Sequence, residues 1–265
     1  MVTIMNYRAL PSLVAISSSG IALFAFEQKL IGYGLIALGL MLSLLVSHRM
    51  FRDISLIAFA LVMVSIVPIN TDISYSHMSL MGLALSLAVG VPYLVSRFVY
   101  KDYSIKFPFH FREPWGRAKW FYISLVGIVG YFVLPIYMIN TGVYLNWPAV
   151  DDTSSIVRLF IGTNALGIWD ELFFICTVFV IFHRYVPFWV ANILQAVLFT
   201  SFLYELGFES YGPILIYIFA LTQGYIFKIT HSLFYLLCIH LLFDFILFLV
   251  LVHAHNPTWI DIFIY

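Results

Sequence analysis

Charge is what this sequence has least of. Asp, Glu, Lys and Arg supply 10% of its 265 residues, where a soluble domain carries about a quarter. A solvated globule is excluded on that ground, and 63% apolar residues with a mean hydropathy of +1.00 point instead to a chain whose solvent is lipid. Net charge is absent as well: 13 basic residues face 13 acidic ones, so no global field recommends nucleic acid as a partner. Cysteine is nearly absent. Cys176 and Cys238 stand in apolar stretches, in no CxxC or zinc-finger spacing, and read as reduced, buried and structural. No repeat, low-complexity tract or second soluble domain is found. No cleavable signal peptide is expected, because Ser17-Ser18-Ser19 interrupts the first apolar stretch and another follows directly.

What is present is apolar length. A transmembrane helix needs about 20 apolar residues. Nine windows meet or approach that length: 10–26, 30–47, 54–70, 78–98, 120–141, 155–183, 188–207, 212–227 and 232–253. The fold class expected is all-α, a polytopic transmembrane bundle of about nine spans, or eight if the first pair merges. Serine hydroxyls can bond back to helix carbonyls, so the serine run does not exclude a first span. Pro92 and Pro135 fall inside windows and are expected to kink them. Placing the N-terminus in the cytoplasm puts Arg8, Arg49, Arg52, Arg97, Lys101, Lys106, Arg112, Arg117, Lys119, Arg184 and Lys228 on that side. Only Lys29 and Arg158 remain outside, a strong positive-inside asymmetry. A prokaryotic cell membrane, an N-terminus inside and a C-terminus outside are the expectations.

Two regions divide the chain. Residues 1–154 read as an N-terminal transmembrane scaffold. Its cytoplasmic segment 101–119 interleaves basic residues with Phe107, Phe109, Phe111 and Trp115, which suits an interfacial anchor on anionic headgroups. Residues 155–253 carry the intramembrane ionisable groups: Asp170 and Glu171, Glu205, and His240 with Asp244. Asp152, Thr153 or Ser154 can cap the helix that leads to them. A charge near the bilayer centre costs roughly 2.5–3.5 kcal/mol on insertion scales, so five such groups in four spans mark a site. The four-residue spacing of His240 and Asp244 puts them on one helix face, where Asp244 orients the imidazole or both address one centre. At about 1.5 Å per residue, Asp170, His240 and Asp244 lie roughly 12–20 Å from their cytoplasmic helix ends, in one layer, with Glu205 nearer the outer face. Such groups can equally form a buried polar clamp that fixes packing.

These residues resemble a known family, the CAAX protease and bacteriocin-processing (CPBP, or Abi) intramembrane proteases. That family carries Glu-Glu-x-x-x-Arg, then Phe-x-x-x-His, then His-x-x-x-Asn or Asp on consecutive helices. Here Asp170-Glu171-Leu172-Phe173-Phe174-Ile175, Phe199-Thr200-Ser201-Phe202-Leu203 and His240-Leu241-Leu242-Phe243-Asp244 stand at those places. Gln223 to Leu233 is similar to the family's Gly-containing helix end and turn before the third motif. The resemblance covers about 155–252. The chain departs from the pattern at Asp170, at Ile175 in place of Arg, and at Leu203 in place of His.

The resemblance implies an endopeptidase that hydrolyses a peptide bond in a membrane-tethered peptide or protein. Asp170 would be the base that activates water, Glu171 a second acid or structural partner, and His240 with Asp244 the oxyanion or orienting pair. Glu205 could fill the vacant histidine role only through a helix shift of about half a turn. No cofactor and no metal are expected, since one imidazole among carboxylates is a poor zinc set. The lipid bilayer is the surrounding partner, and no nucleic acid is expected. Two alternatives stand beside this one: a catalytically weakened relative that binds a membrane peptide for immunity or as a partner subunit, and a proton-coupled transporter. The transporter ranks last because no inverted repeat or matched pair of broken helices is seen.

Overall fold

A computed structural model describes residues 5–109, 114–259 and 261–265. Among these residues the chain forms nine helices and no strand. In hydrocarbon every backbone amide must bond within its own segment, and an apolar chain satisfies that demand by coiling. The helices are α1 (Leu10–Ala25), α2 (Lys29–Val46), α3 (His48–Ile66), α4 (Tyr75–Val99), α5 (Arg117–Asn140), α6 (Thr153–His183), α7 (Phe188–Glu205), α8 (Gly212–Thr230) and α9 (Leu233–His255). A 3₁₀ turn, Val143–Asn146, joins α5 to α6.

Seven of these, α2 and α4 to α9, are long and apolar enough to cross a membrane, which makes the chain an integral membrane protein. Helix α1 is shorter, and α3 begins with His48, Arg49, Arg52 and Asp53. Each of the nine sequence windows overlaps one helix, with ends that differ by up to about six residues. The first pair is not merged: α1 stops at Ala25, Glu27 takes a left-handed φ of 52°, and α2 starts at Lys29. The serine run sits in α1 as expected, with Ser19 Oγ donating to the Ile16 carbonyl at 2.7 Å. Ser12 Oγ reaches across to the Gly39 carbonyl of α2, also at 2.7 Å.

The helix starts are written in the sequence. Asp152 caps α6 by accepting from the Ser154 and Ser155 amides, while Ser155 closes a capping box. Ser47, Ser74 and Ser232 do the same for α3, α4 and α9. Pro92 and Pro135 lie inside α4 and α5. Each removes one helical hydrogen bond.

Helices α1 to α4 pack in sequence order, α1 also lies on α7, and α5 lies on α9. Helix α6 is the axis of the bundle, touching α4, α7 and α9. Of its apolar window 72% is buried in protein, against 22% for α2 and 28% for α5. The outer faces of α2 and α5 present Leu30, Met41, Leu45, Phe121, Ile128 and Phe132, as lipid-facing helices do. The 1–154 and 155–253 regions therefore share one packed core rather than meeting at a seam.

The two ends of the bundle differ in chemistry. At one end Arg184, at the close of α6, meets Asp53 of α3 at 3.0 Å and also Asp102, which pairs with Arg49 at 3.0 Å. The described residues of the segment after α4 belong to this end and contact the bundle at several points. Ile105 is buried, Phe107 stacks on Tyr93 at 5.1 Å, Pro108 accepts from the Leu233 amide, and Trp115 meets Tyr235 at 5.0 Å. Phe111 and Arg112 lie outside the described residues. At the opposite end neutral contacts hold the loops together. Thr71 Oγ1 donates to the Asn146 carbonyl, Asn146 to the Gly207 carbonyl, and Tyr137 to the Glu209 carbonyl.

Candidate functional site

Helix α6 is not α-helical throughout. From Glu171 to Phe179 it widens into a π-helical stretch, and Thr177 Oγ1 bonds the carbonyl of Leu172, five residues back. Shorter π-helical turns also end α1 (Ile21–Ala25) and α4 (Val95–Val99), and the stretch in α6 is the longest of the three. The change of winding begins at the acidic pair, so Asp170 ends the α-helical part and Glu171 opens the π part. Both side chains turn toward α9. Trp169, just before them, is anchored by its Nε1–H to the Leu85 carbonyl of α4 at 3.0 Å and stacks on Phe173 at 4.9 Å.

His240 lies between the two acids. Its Nδ1 is 2.7 Å from Glu171 Oε1, a full hydrogen bond between groups that are almost entirely buried. Its Nε2 faces the other way, 3.9 Å from Asp170 Oδ2 and 3.7 Å from Asp244 Oδ1. Those two separations are too long for direct hydrogen bonds. One water seated off the line between the atoms fits such spacings. Glu171 Oε1 accepts a second bond, from Gln223 Nε2 of α8 at 2.6 Å. Of the two arrangements the spacing allowed, Asp244 faces the same centre as His240 Nε2, while Glu171 orients the imidazole through Nδ1. Glu171 Oε1 thus receives one N–H from Gln223 and meets the ring at Nδ1, which fixes which nitrogen faces the centre.

The ring is walled by aromatics, with Phe219 edge-on at 5.0 Å and Phe199 at 6.1 Å. Asp170, His240 and Asp244 line a cavity of about 80 Å³ between α5, α6, α7, α8 and α9. A single water needs about 10–15 Å³ by the same kind of measure, so the space admits several waters or a short stretch of chain. Asp170 Oδ1 and Asp244 Oδ2 are buried without a hydrogen-bond partner. Buried polar atoms are nearly always bonded, so two orphaned carboxylate oxygens on one cavity mark it as a place for a polar guest.

Four of the five residues singled out in the sequence are brought together: Asp170, Glu171, His240 and Asp244. Glu205 is not. It ends α7 beside the backbone of Ile69 and the charges of Glu27 and Lys29, and Leu203 lines the cavity instead. No half-turn shift brings Glu205 inward, because α7 is regular from Phe188 to Glu205. Ile175, at the place of the absent Arg, is fully buried among apolar groups. Both cysteines are free thiols; Cys176 is buried as expected, whereas Cys238 is only half-buried. Among the described residues, no three His, Cys, Asp or Glu side chains are arranged as a metal-binding set.

Two members of the site carry no charge and were passed over for that reason. Gln223 is held in place by its helix, since Asn192 Nδ2 and Gln195 Nε2 of α7 donate to the Leu221 and Ala220 carbonyls of α8. Gly167 lies where α6 meets α9. A Cβ there would overlap Asp244 Oδ2 and stand 3.0 Å from Asp244 Cγ and 3.1 Å from His240 Cδ2. Only hydrogen fits between the helices at that point. A glutamine in an apolar helix and a glycine one turn before the acids were the signals available. No family model, curated protein or solved structure matches the chain.

Proposed function

We propose that this protein is an intramembrane endopeptidase of the CPBP type, with nine spans, a cytoplasmic N-terminus and an outside C-terminus, acting on a membrane-tethered peptide or protein. The observation that carries the reading is the cavity on which Asp170, His240 and Asp244 converge with two unbonded carboxylate oxygens. Among the described residues no lysine or arginine lines it, and Glu171 holds His240 Nδ1 so that Nε2 faces the cavity.

In that arrangement the chemistry follows. Asp170 takes a proton from water as the water oxygen attacks the peptide carbonyl carbon. The oxyanion accepts a hydrogen bond from His240 Nε2–H, which shares its helix face with Asp244. As the C–N bond breaks, the proton on Asp170 passes to the departing nitrogen, leaving a carboxylic acid and an amine. Glu171 and Gln223 hold the imidazole through Nδ1 and touch no reacting atom. Asp170→Asn and His240→Ala should each abolish cleavage of a transmembrane peptide by the reconstituted protein while leaving insertion and unfolding temperature near wild type. Full activity in both would overturn the reading.

One observation favours a second reading. Leu203, an aliphatic side chain, lines the cavity where the resemblance calls for histidine, and a general acid–base group is worth about 10²–10⁴ in rate. A protein that binds a membrane peptide at this cavity without cutting it would retain the same walls. Peptide retained uncleaved by wild-type protein, with binding lost in His240→Ala, would select that reading.

A further inference from the structure

A second cavity, of about 280 Å³, lies between α4 and α6 toward the Trp147 end of the bundle. It is not separate from the first. Trp147, Thr163, Leu166 and Leu206 line both, so they form a one-residue-thick partition between them. The groove changes character along its length. Asn70, Thr71, Asp72 and His77 form one end, close to the start of α4, while Met78, Met81, Leu85 and Ile161 make the remainder apolar. Two polar groups along it are shielded yet unbonded: Trp147 Nε1, on the partition, and His77 Nε2, at the polar end. Trp147 itself is 6% exposed, so its indole N–H has neither solvent nor protein to bond. A buried donor without a partner marks where a carbonyl arrives.

We infer that this α4–α6 groove is the access site for substrate, taking an apolar segment of a membrane-tethered peptide and passing its backbone across the Trp147–Leu206 partition to Asp170 and His240. This rests on the protease reading of the site. The occupant is a peptide rather than a lipid tail because the partition offers a hydrogen-bond donor, which an acyl chain cannot use. The polar rim at the α4 start suits the point where such a peptide leaves the bilayer. Leu166 and Thr163 are on the same face of α6 as Asp170, one and two turns before it, so a chain lying in the groove is already aligned with the acid. Access is from the Trp147 end. On the other side of His240, toward Arg184, Phe174, Cys176, Asn192, Gln195 and Gln223 are buried, and they close the bundle.

Glycine makes the test clean. Gly82 lines the groove and has nothing within 4 Å of where a Cβ would stand, so a large side chain there fills the groove without striking the backbone. Gly34, on the lipid face of α2, is equally open and lines neither cavity. With a fluorogenic leucine-rich transmembrane peptide in phosphatidylcholine vesicles, Gly82→Phe should lower kcat/KM at least about tenfold, mainly through KM, and Gly34→Phe should leave it unchanged. A second measurement needs no catalysis. In an Asp170→Asn background, Gly82→Cys should cross-link to a thiol-reactive version of the same peptide, and Gly34→Cys should not. Wild-type turnover in Gly82→Phe overturns the inference while leaving the protease reading intact. Labelling of Gly82→Cys by a thiol-reactive phospholipid but not by the peptide overturns it too. Cross-linking at Gly82→Cys with no cleavage by the wild-type protein keeps the groove and removes the protease reading.

Discussion

Gly167→Ala is the smallest change that should disable the site. The added methyl overlaps Asp244 Oδ2 and lies 3.0 Å from Asp244 Cγ and 3.1 Å from His240 Cδ2. Carbon contacts relax near 3.5–4.0 Å, so the Asp244 carboxylate must turn away from Gly167, or α6 and α9 must part, by more than about 1 Å. Overpacking of that kind costs about 1–3 kcal/mol of stability. The effect on turnover should be larger than the effect on folding, since a displacement of about 1 Å at reacting groups can cost about 10²-fold. Gly127→Ala is the matched control: its methyl makes only an ordinary 3.4 Å contact with Leu242 of the same α9. The assay pairs thermal unfolding in detergent with cleavage of a transmembrane peptide in vesicles. If Gly167→Ala retains wild-type turnover and stability, the close approach of Gly167 to Asp244 and His240 is not what shapes the site.

Three further outcomes follow from the same geometry. Gln223→Leu leaves Glu171 buried with one donor fewer and should cost about 1.5–3 kcal/mol, read by denaturant unfolding, while shifting the pH profile of cleavage rather than only its height. Arg184→Met strands Asp53, which is 2% exposed, without its cation and should cost about 3–5 kcal/mol by the same measurement. Asp102 is the third case. Its hydrogen bond from the Arg184 guanidinium, reinforced by the charges of Arg184 and Arg49, holds its carboxyl below the usual carboxylate range. Its folded value is therefore depressed, so its contribution is present above the unfolded value of about 3.9 and is lost as pH falls through the folded one. Stability should fall below about pH 4 more steeply in wild type than in Asp102→Asn, as followed by unfolding temperature against pH.

Much of the fold was legible because lipid leaves an apolar chain few choices. Nine windows correspond to nine helices, the Asp152 cap stands where the sequence put it, and Ser19 of the serine run bonds back to its own helix. The gathering of Asp170, Glu171, His240 and Asp244 was legible from their depth and from the four-residue spacing on α9. What hid the rest was local. Spacing left open whether Asp244 orients His240 or both address one centre, and it gave no sign that Glu171, where the winding of α6 changes, meets Nδ1. Counting ionisable residues also overlooked Gln223 and Gly167, whose roles are a neutral donor and an absent side chain. Depth brought Glu205 near the list without saying which face of α7 it takes, and it faces Ile69, Glu27 and Lys29.

The most direct test is a single-turnover cleavage experiment in water enriched with heavy oxygen. Purified protein in vesicles would be mixed with a transmembrane peptide, and the product termini read by mass spectrometry. Hydrolysis by water held at Asp170 and His240 predicts one heavy oxygen in the new carboxyl group, with no product from Asp170→Asn or His240→Ala. Product of equal yield from those variants, or an intact peptide with the wild-type protein, would contradict the account.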